Sequence, residues 1–192
     1  EGIAASHLLA IYAGTHGMAN ALDSALDAAA VLRRRGRDDI RILLVGQGGQ
    51  KDALVERARR EGLDNVLFHA PVPKEKLASF MAGADVGLQL LANVPAFYYG
   101  TSPNKFFDYL SAGLPVLCNY PGWVADMIER DHIGFAVAPD DPEAFADALE
   151  RAAAAKAELP AMGKRAHSLG QREFDRPLLA RQWVDWVTGT VR

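Results

Sequence analysis

Lys105 and Asp108 stand three residues apart in the run Thr101-Ser102-Pro103-Asn104-Lys105-Phe106-Phe107-Asp108-Tyr109-Leu110-Ser111-Ala112-Gly113-Leu114-Pro115. The run predicts a helix marked at both ends. Ser102 suits the N-cap and Pro103 the first helical position. Gly113 fits the residue just past the end, and Pro115 prevents continuation. Lys105 then falls in the first turn, where the helix dipole disfavours a cation. An anion held at that helix start removes the conflict, because free backbone N–H groups and an ammonium would face it together. Asp108 shares the Lys105 face and is placed to bond the vicinal hydroxyls of a ribose. The competing reading is a plain surface ion pair between the two, worth a few tenths of a kcal/mol. The spacing alone leaves both open.

Other chemistry-bearing residues gather in short loops behind apolar runs. These are Gly14-Thr15-His16-Gly17, Gly46-Gln47-Gly48-Gly49, His69-Ala70-Pro71, the loop Asn93 to Gly100, and Tyr120-Pro121-Gly122. Glycines there let backbone N–H groups approach phosphate oxygens. Gly46 and Gly48 lack a third glycine, since Lys51 stands in its place, so the dinucleotide fingerprint is absent. Alone, the pair reads as a tight strand-to-helix turn. His16 has no carboxylate near it in sequence, and a lone loop histidine is more often a capping or surface residue than a catalyst. Phe97-Tyr98-Tyr99 can stack on a base or sugar, although packing is the commoner use of such a cluster. No nucleophile–base pair, zinc-ligand spacing or Walker-type loop is present.

The elements that must position these loops alternate along the chain. Apolar strands are expected at Leu8 to Ala13, Ile40 to Val45, Val66 to Phe68, Ala84 to Leu91, Leu114 to Cys118 and Gly134 to Val137. Helices are expected at Met18 to Arg35, Asp52 to Glu61, Lys74 to Met81, the Ser102 segment, and Trp123 to Glu129. The remainder is helical: Pro142 to Ala157, Pro160 to Arg172 and Pro177 to Thr188. Strands that are continuous apolar runs, each followed by a helix, imply an α/β fold. The expectation is a Rossmann-like parallel sheet of about six strands with helices on both faces. Its ligands would lie beyond the carboxyl ends of the strands.

The chain has 192 residues, of which about half are hydrophobic, enough for a sizeable core. Its net charge of −3 gives no sign of a nucleic-acid binder. Arg33-Arg34-Arg35 reads as the solvated, dipole-favoured end of a helix rather than a phosphate patch. Cys118 is the single cysteine, which excludes a disulfide within the chain and a thiolate zinc cage. No run approaches the ~20 apolar residues of a membrane span. A soluble protein of a reducing compartment is expected. The start, Glu1-Gly2-Ile3, lacks Met and suggests a piece of a longer chain.

The motifs in order resemble the C-terminal half of a GT-B glycosyltransferase of the retaining family GT4. The subgroup that builds bacterial lipopolysaccharide and O-antigen is the most similar. The resemblance runs from about Leu8 to Leu149. It is carried by Tyr12-Ala13-Gly14-Thr15-His16-Gly17, Ile42 to Gly48, Asn65 to Pro73, Ala84 to Leu88, Ser102 to Tyr109 with Ala112 to Val116, and Gly134 to Val137. It implies that the chain binds the nucleotide of an activated sugar. Donor contacts would come from Gly14, Thr15, His16, Gly17, Gly46, Gly48, His69, Ala70, Thr101, Ser102, Asn104, Lys105 and Asp108. Lys105 would be the catalytic residue, and main-chain groups at His69 and Ala70 would read the base.

Asp108 stands where the family usually has a glutamate, and Gly100 where a second glutamate is common. Thr15 and Asn20 stand where basic residues to the diphosphate are often found. The resemblance further implies a UDP-linked donor whose sugar is an N-acetylhexosamine or another hexose, with a lipopolysaccharide or lipid-linked glycan as acceptor. It implies no metal and no other cofactor, and a location in the cytoplasm or at the inner face of the cytoplasmic membrane. Residues 1–175 would form the donor-binding domain. Residues 176–192, with Trp183 and Trp186, would be a last helix docking toward an N-terminal Rossmann domain that this chain lacks. Half of a nucleotide-sugar epimerase and a non-enzymatic flavodoxin-like interaction domain are the alternatives.

Overall fold

The computed structural model describes residues 3–190. Glu1 and Gly2, part of the expectation about the chain start, lie outside the described residues, as do the last two residues of the expected 176–192 segment. Among the described residues six strands form one parallel sheet in the order β3-β2-β1-β4-β5-β6. They are β1 (Leu8–Ala13), β2 (Ile40–Val45), β3 (Val66–His69), β4 (Val86–Gln89), β5 (Val116–Cys118) and β6 (Gly134–Ala136). The helices are α1 (Asp23–Arg34), α2 (Lys51–Glu61), α3 (Lys74–Ala82), α4 (Pro95–Gly100), α5 (Asn104–Ala112), α6 (Trp123–Arg130), α7 (Pro142–Ala154), α8 (Leu159–Glu173) and α9 (Arg176–Thr190). The expected doubly covered α/β sheet is what the chain forms.

The alternation of β1 divides the core into two layers, because successive side chains leave opposite faces of a strand. Leu8, Ala10 and Tyr12 pack with Leu26, Ala29 and Leu32 of α1 and Phe145 and Leu149 of α7. Leu9, Ile11 and Ala13 pack with Phe106 and Leu110 of α5, Ile128 of α6 and Leu169 of α8. The chain crosses between the two halves of the sheet where β1 and β4 lie side by side. A crevice outside the carboxyl ends of such neighbours is where open α/β sheets take ligands.

Three expectations need correction. The first helix is not continuous from Met18: a single 3-10 turn at Met18–Asn20 ends at Ala21, whose φ of 43° is left-handed, and α1 follows. Periodicity missed the break because the stripe of Leu22, Leu26, Ala29 and Leu32 begins only after it, so the pattern carries no sign of where the helix starts. The loop Ala92 to Gly100 contains α4, where Pro95 opens the helix. Ser102 does not cap α5. That helix begins at Asn104, after an extended Pro103 and with no side-chain cap. The preceding segment is held extended instead: Trp123 Nε1 donates to the Thr101 carbonyl at 2.9 Å, while Thr101 Oγ1 donates to Phe97 O at 2.7 Å.

Arg34 and Arg35 are more engaged than a solvated helix end. Both pair with Glu143 of α7, and Arg35 also reaches Asp147 and Glu150, which ties α1 to α7. Cys118 is buried in β5, and desolvation pushes its thiol up to about 12, so it is not a nucleophile. No described helix is long and apolar enough to cross a membrane.

Candidate functional site

Two glycine loops interlock at the carboxyl edge. Gly14 and Gly46 leave β1 and β2 with φ of 155° and 150°, and a Cβ on Gly46 would overlap the Gly14 carbonyl. Gly14 N–H donates to Val45 O at 3.0 Å, His16 N–H to Gln47 O at 3.0 Å, and Gln50 N–H to His16 O at 2.9 Å. Gly48 faces the His16 backbone, with no room for a side chain. The Gly46/Gly48 pair is therefore the close approach of two backbones as well as a turn. A cleft of about 310 Å³ opens beside these loops, lined by Gly14, Thr15, Gly46, Gln47, Pro71 and Val72 among others.

Lys105 turns inward to this edge. Its Nζ donates to Asn20 Oδ1 at 3.3 Å and lies 5.0 Å from the centre of the Tyr12 ring. A Cβ placed on Gly14 would meet the Lys105 stem at 3.5 Å. Burial lowers the ammonium's pKa, and the Asp108 carboxylate partly opposes that. No ion pair joins Lys105 and Asp108 within 4.0 Å, so the plain ion-pair reading does not describe this helix face. Asp108 instead borders a second cavity of about 260 Å³ between α3 and α5, with Lys74, Met81 and Ser111. Leu77 borders both cavities, so they adjoin.

What holds α5 in this position is Tyr109, one turn beyond Lys105. Its buried hydroxyl donates to Leu88 O at 3.1 Å and receives Ala13 N–H at 3.4 Å, which fixes the helix to the ends of β4 and β1. Gly87 makes room for the ring: a Cβ there would come within 2.6 Å of it.

The remaining expected donor contacts are dispersed. The Thr15 carbonyl accepts from Tyr12 OH at 2.8 Å and Asn20 Nδ2 at 2.9 Å, which shapes the first loop, and Gly17 follows it as the residue before the 3-10 turn. Ser102 and Asn104 are exposed on the approach to α5, and Thr101 is half-buried. His69 and Ala70 are exposed, but the His69 carbonyl already accepts from Gly46 N–H at 3.1 Å and from Lys51 Nζ at 3.0 Å. The His69 ring meets its neighbour Ala70 O at 2.7 Å and the edge of Phe80.

His16 is neither a cap nor a surface residue. Its side chain is completely buried between Tyr12 and Phe68. Phe97 and Tyr98 pack, Tyr98 stacking 6.2 Å from Tyr120, whereas Tyr99 is exposed.

Lys51 escaped the sequence reading as a functional residue. Its Nζ bridges the carbonyls of Gly46 at 2.8 Å and His69 at 3.0 Å, closing the ends of β2 and β3. The signal was available, since Lys51 is a cation at a helix start, the same anomaly that singles out Lys105.

A sequence profile of the family described as "Glycosyl transferases group 1" matches residues 8–155. No match is found among curated proteins. Among solved structures, HepE of Anabaena, determined in complex with UDP, superposes with a TM-score of 0.81 at 16% identity over 96% of this chain and 49% of its own. Sucrose-phosphate synthase of Thermosynechococcus elongatus gives 0.79 at 21% identity, covering 98% of this chain and 46% of its own. WaaG, described as a glycosyltransferase involved in lipopolysaccharide biosynthesis, gives 0.74 at 23% identity, covering 98% and 49%. The chain thus spans about half the length of these structures, and at such identities the likeness establishes the fold.

Proposed function

The chain belongs to the group 1 glycosyl transferases, and from that premise we propose that it is the half that binds the nucleotide diphosphate sugar donor. The observation that carries this reading is the inward turn of Lys105 to the Gly14 loop at the start of α5, one turn from Asp108 at the adjoining cavity. The diphosphate would lie against Lys105, the α5 N-terminus and the glycine loops, and Asp108 would accept bonds from the ribose hydroxyls. The donor we propose is UDP-linked, with an N-acetylhexosamine or another hexose as the sugar. The acceptor we propose is a hydroxyl of a lipopolysaccharide or lipid-linked glycan, as in the GT4 subgroup that the chain resembles.

In the reaction the bond from the anomeric carbon to the diphosphate breaks, the acceptor oxygen bonds to that carbon, and the acceptor hydroxyl loses its proton. We propose that configuration is retained. Lys105 and the amides would meet the charge that grows on the departing diphosphate, with no metal in the scheme. Asp108, by fixing the ribose, would fix the anomeric carbon.

Residues 1–175 would be the donor domain. α9 would dock toward an N-terminal Rossmann domain that supplies the acceptor site. Its Trp183 and Trp186 are 64% and 68% exposed. Without that half, this chain would bind nucleotide and not turn over, in the cytoplasm or at the inner face of the membrane.

Isothermal titration with UDP, GDP and ADP, on the chain and on Lys105→Ala, tests the reading. UDP is expected to bind best, at least tenfold more weakly to the variant. Indifference to all three nucleotides and to the substitution would overturn it in favour of an interaction module.

A further inference from the structure

His16 is a fully buried polar side chain that the donor reading leaves without a task. Its backbone is the hinge pin of the two glycine loops, giving its N–H to Gln47 O and taking Gln50 N–H on its carbonyl. Its ring lies against Gly46, where an added Cβ would stand 3.2 Å from the imidazole Cδ2, with Tyr12 and Phe68 ring centres at 6.1 and 6.4 Å. Neither ring nitrogen has a hydrogen-bond partner among the described residues. The titratable and charged groups around it are Tyr12 on β1, Lys51 on α2, Lys105 of α5 over the Tyr12 ring, and His69 next along β3 with its ring turned to Phe80. None is a carboxylate. An imidazolium here would be buried without an acceptor and close to the Lys51 ammonium.

We infer that His16 is a positioning residue for the diphosphate cleft, whose uncharged ring locks the Gly14–Gly17 loop onto the Gly46–Gly49 loop, and that protonation releases the lock. The inference rests on the donor reading for its consequence, because Gly14, Thr15, Gly46 and Gln47 are walls of the cleft. The His16 pKa is lowered, first by burial and then by Lys51. Its sign follows from linkage. In the native state the ring stays neutral, while in the opened or unfolded chain it takes a proton below about pH 6.5. The lock is therefore intact above that pH and weakens as pH falls, by up to about tenfold in its equilibrium per pH unit.

The test compares wild type, His16→Phe and His16→Gln in one buffer series from pH 7.5 to 5.5, reading the thermal midpoint and the UDP affinity by titration calorimetry. UDP's own ionisation and every other group cancel in the comparison. Wild type's midpoint is expected to fall more steeply than that of either variant over the range, and its UDP affinity to fall relative to theirs by no more than about twofold, because the opened, protonated form stays the minority. The His16 ring resonance, assigned by its disappearance in His16→Gln, should fail to titrate in the normal histidine range.

Parallel midpoint curves against pH for wild type and both variants would overturn the inference. So would a His16 ring that titrates normally, or a wild-type affinity that rises on acidification relative to the variants, since an imidazolium would then be facing the diphosphate. If no form binds UDP at any pH, the donor reading fails while the midpoints and the ring titration still decide the lock.

Discussion

Replacing Gly87 by alanine should loosen the site from the floor of the sheet. The added Cβ would lie 2.6 Å from the Tyr109 ring, whereas carbon atoms rest at about 3.5–4.0 Å, so a gap of about 1 Å must open between β4 and α5. Tyr109 is wholly buried and its hydroxyl is tied to β4 and β1, so the strain cannot be relieved by a side-chain swing. Overpacking of this kind costs about 1–3 kcal/mol. For a chain of this size that is a fall of roughly 2–12 °C in the thermal midpoint. Because Lys105 stands one turn before Tyr109 on the same helix, UDP affinity should fall with stability. Thermal unfolding and calorimetry of Gly87→Ala, Tyr109→Leu and the double variant form the assay. The smaller Leu side chain should recover at least half of the Gly87→Ala loss, a coupling expected only of residues in contact. A Gly87→Ala chain as stable as wild type, or a double variant whose losses simply add, would refute the argument.

Two further outcomes are expected. Lys51→Met should cost about 1.5 kcal/mol in urea unfolding, the low end for hydrogen bonds to a charged group, because the carbonyls of Gly46 and His69 lose their shared donor. Trp183→Ala should move the thermal midpoint of this chain by no more than about 2 °C, since exposed positions contribute within about ±0.5 kcal/mol. A large loss there would mean that α9 is packed more tightly than its exposure indicates.

Most of the sheet was legible in the residues. β1 and β2 begin and end as expected, because strands buried on both faces are near-continuous apolar runs, broken here only by the partly exposed Arg41 of β2. The helix around Lys105 announced itself through Gly113, which is left-handed as its position requires. Its start was misjudged because Ser102 and Pro103 satisfy the local rules for a cap, while the Trp123 and Phe97 contacts that hold Thr101 lie in other elements. His16 was misjudged for the same reason. Its neighbours in sequence are small and polar, whereas Tyr12, Phe68 and Gly48 enclose it only once three strands lie side by side.

Types and spacing, then, determined which elements exist and raised the suspicion of an anion at a lysine-bearing helix start. Whether that lysine faces the sheet, which carbonyls Lys51 gathers, and why Gly46 and Gly87 have no side chain were decided by the tertiary structure alone. Periodicity and capping act over a few residues, whereas these contacts join positions that are distant along the chain and have no partner until the sheet has closed around them.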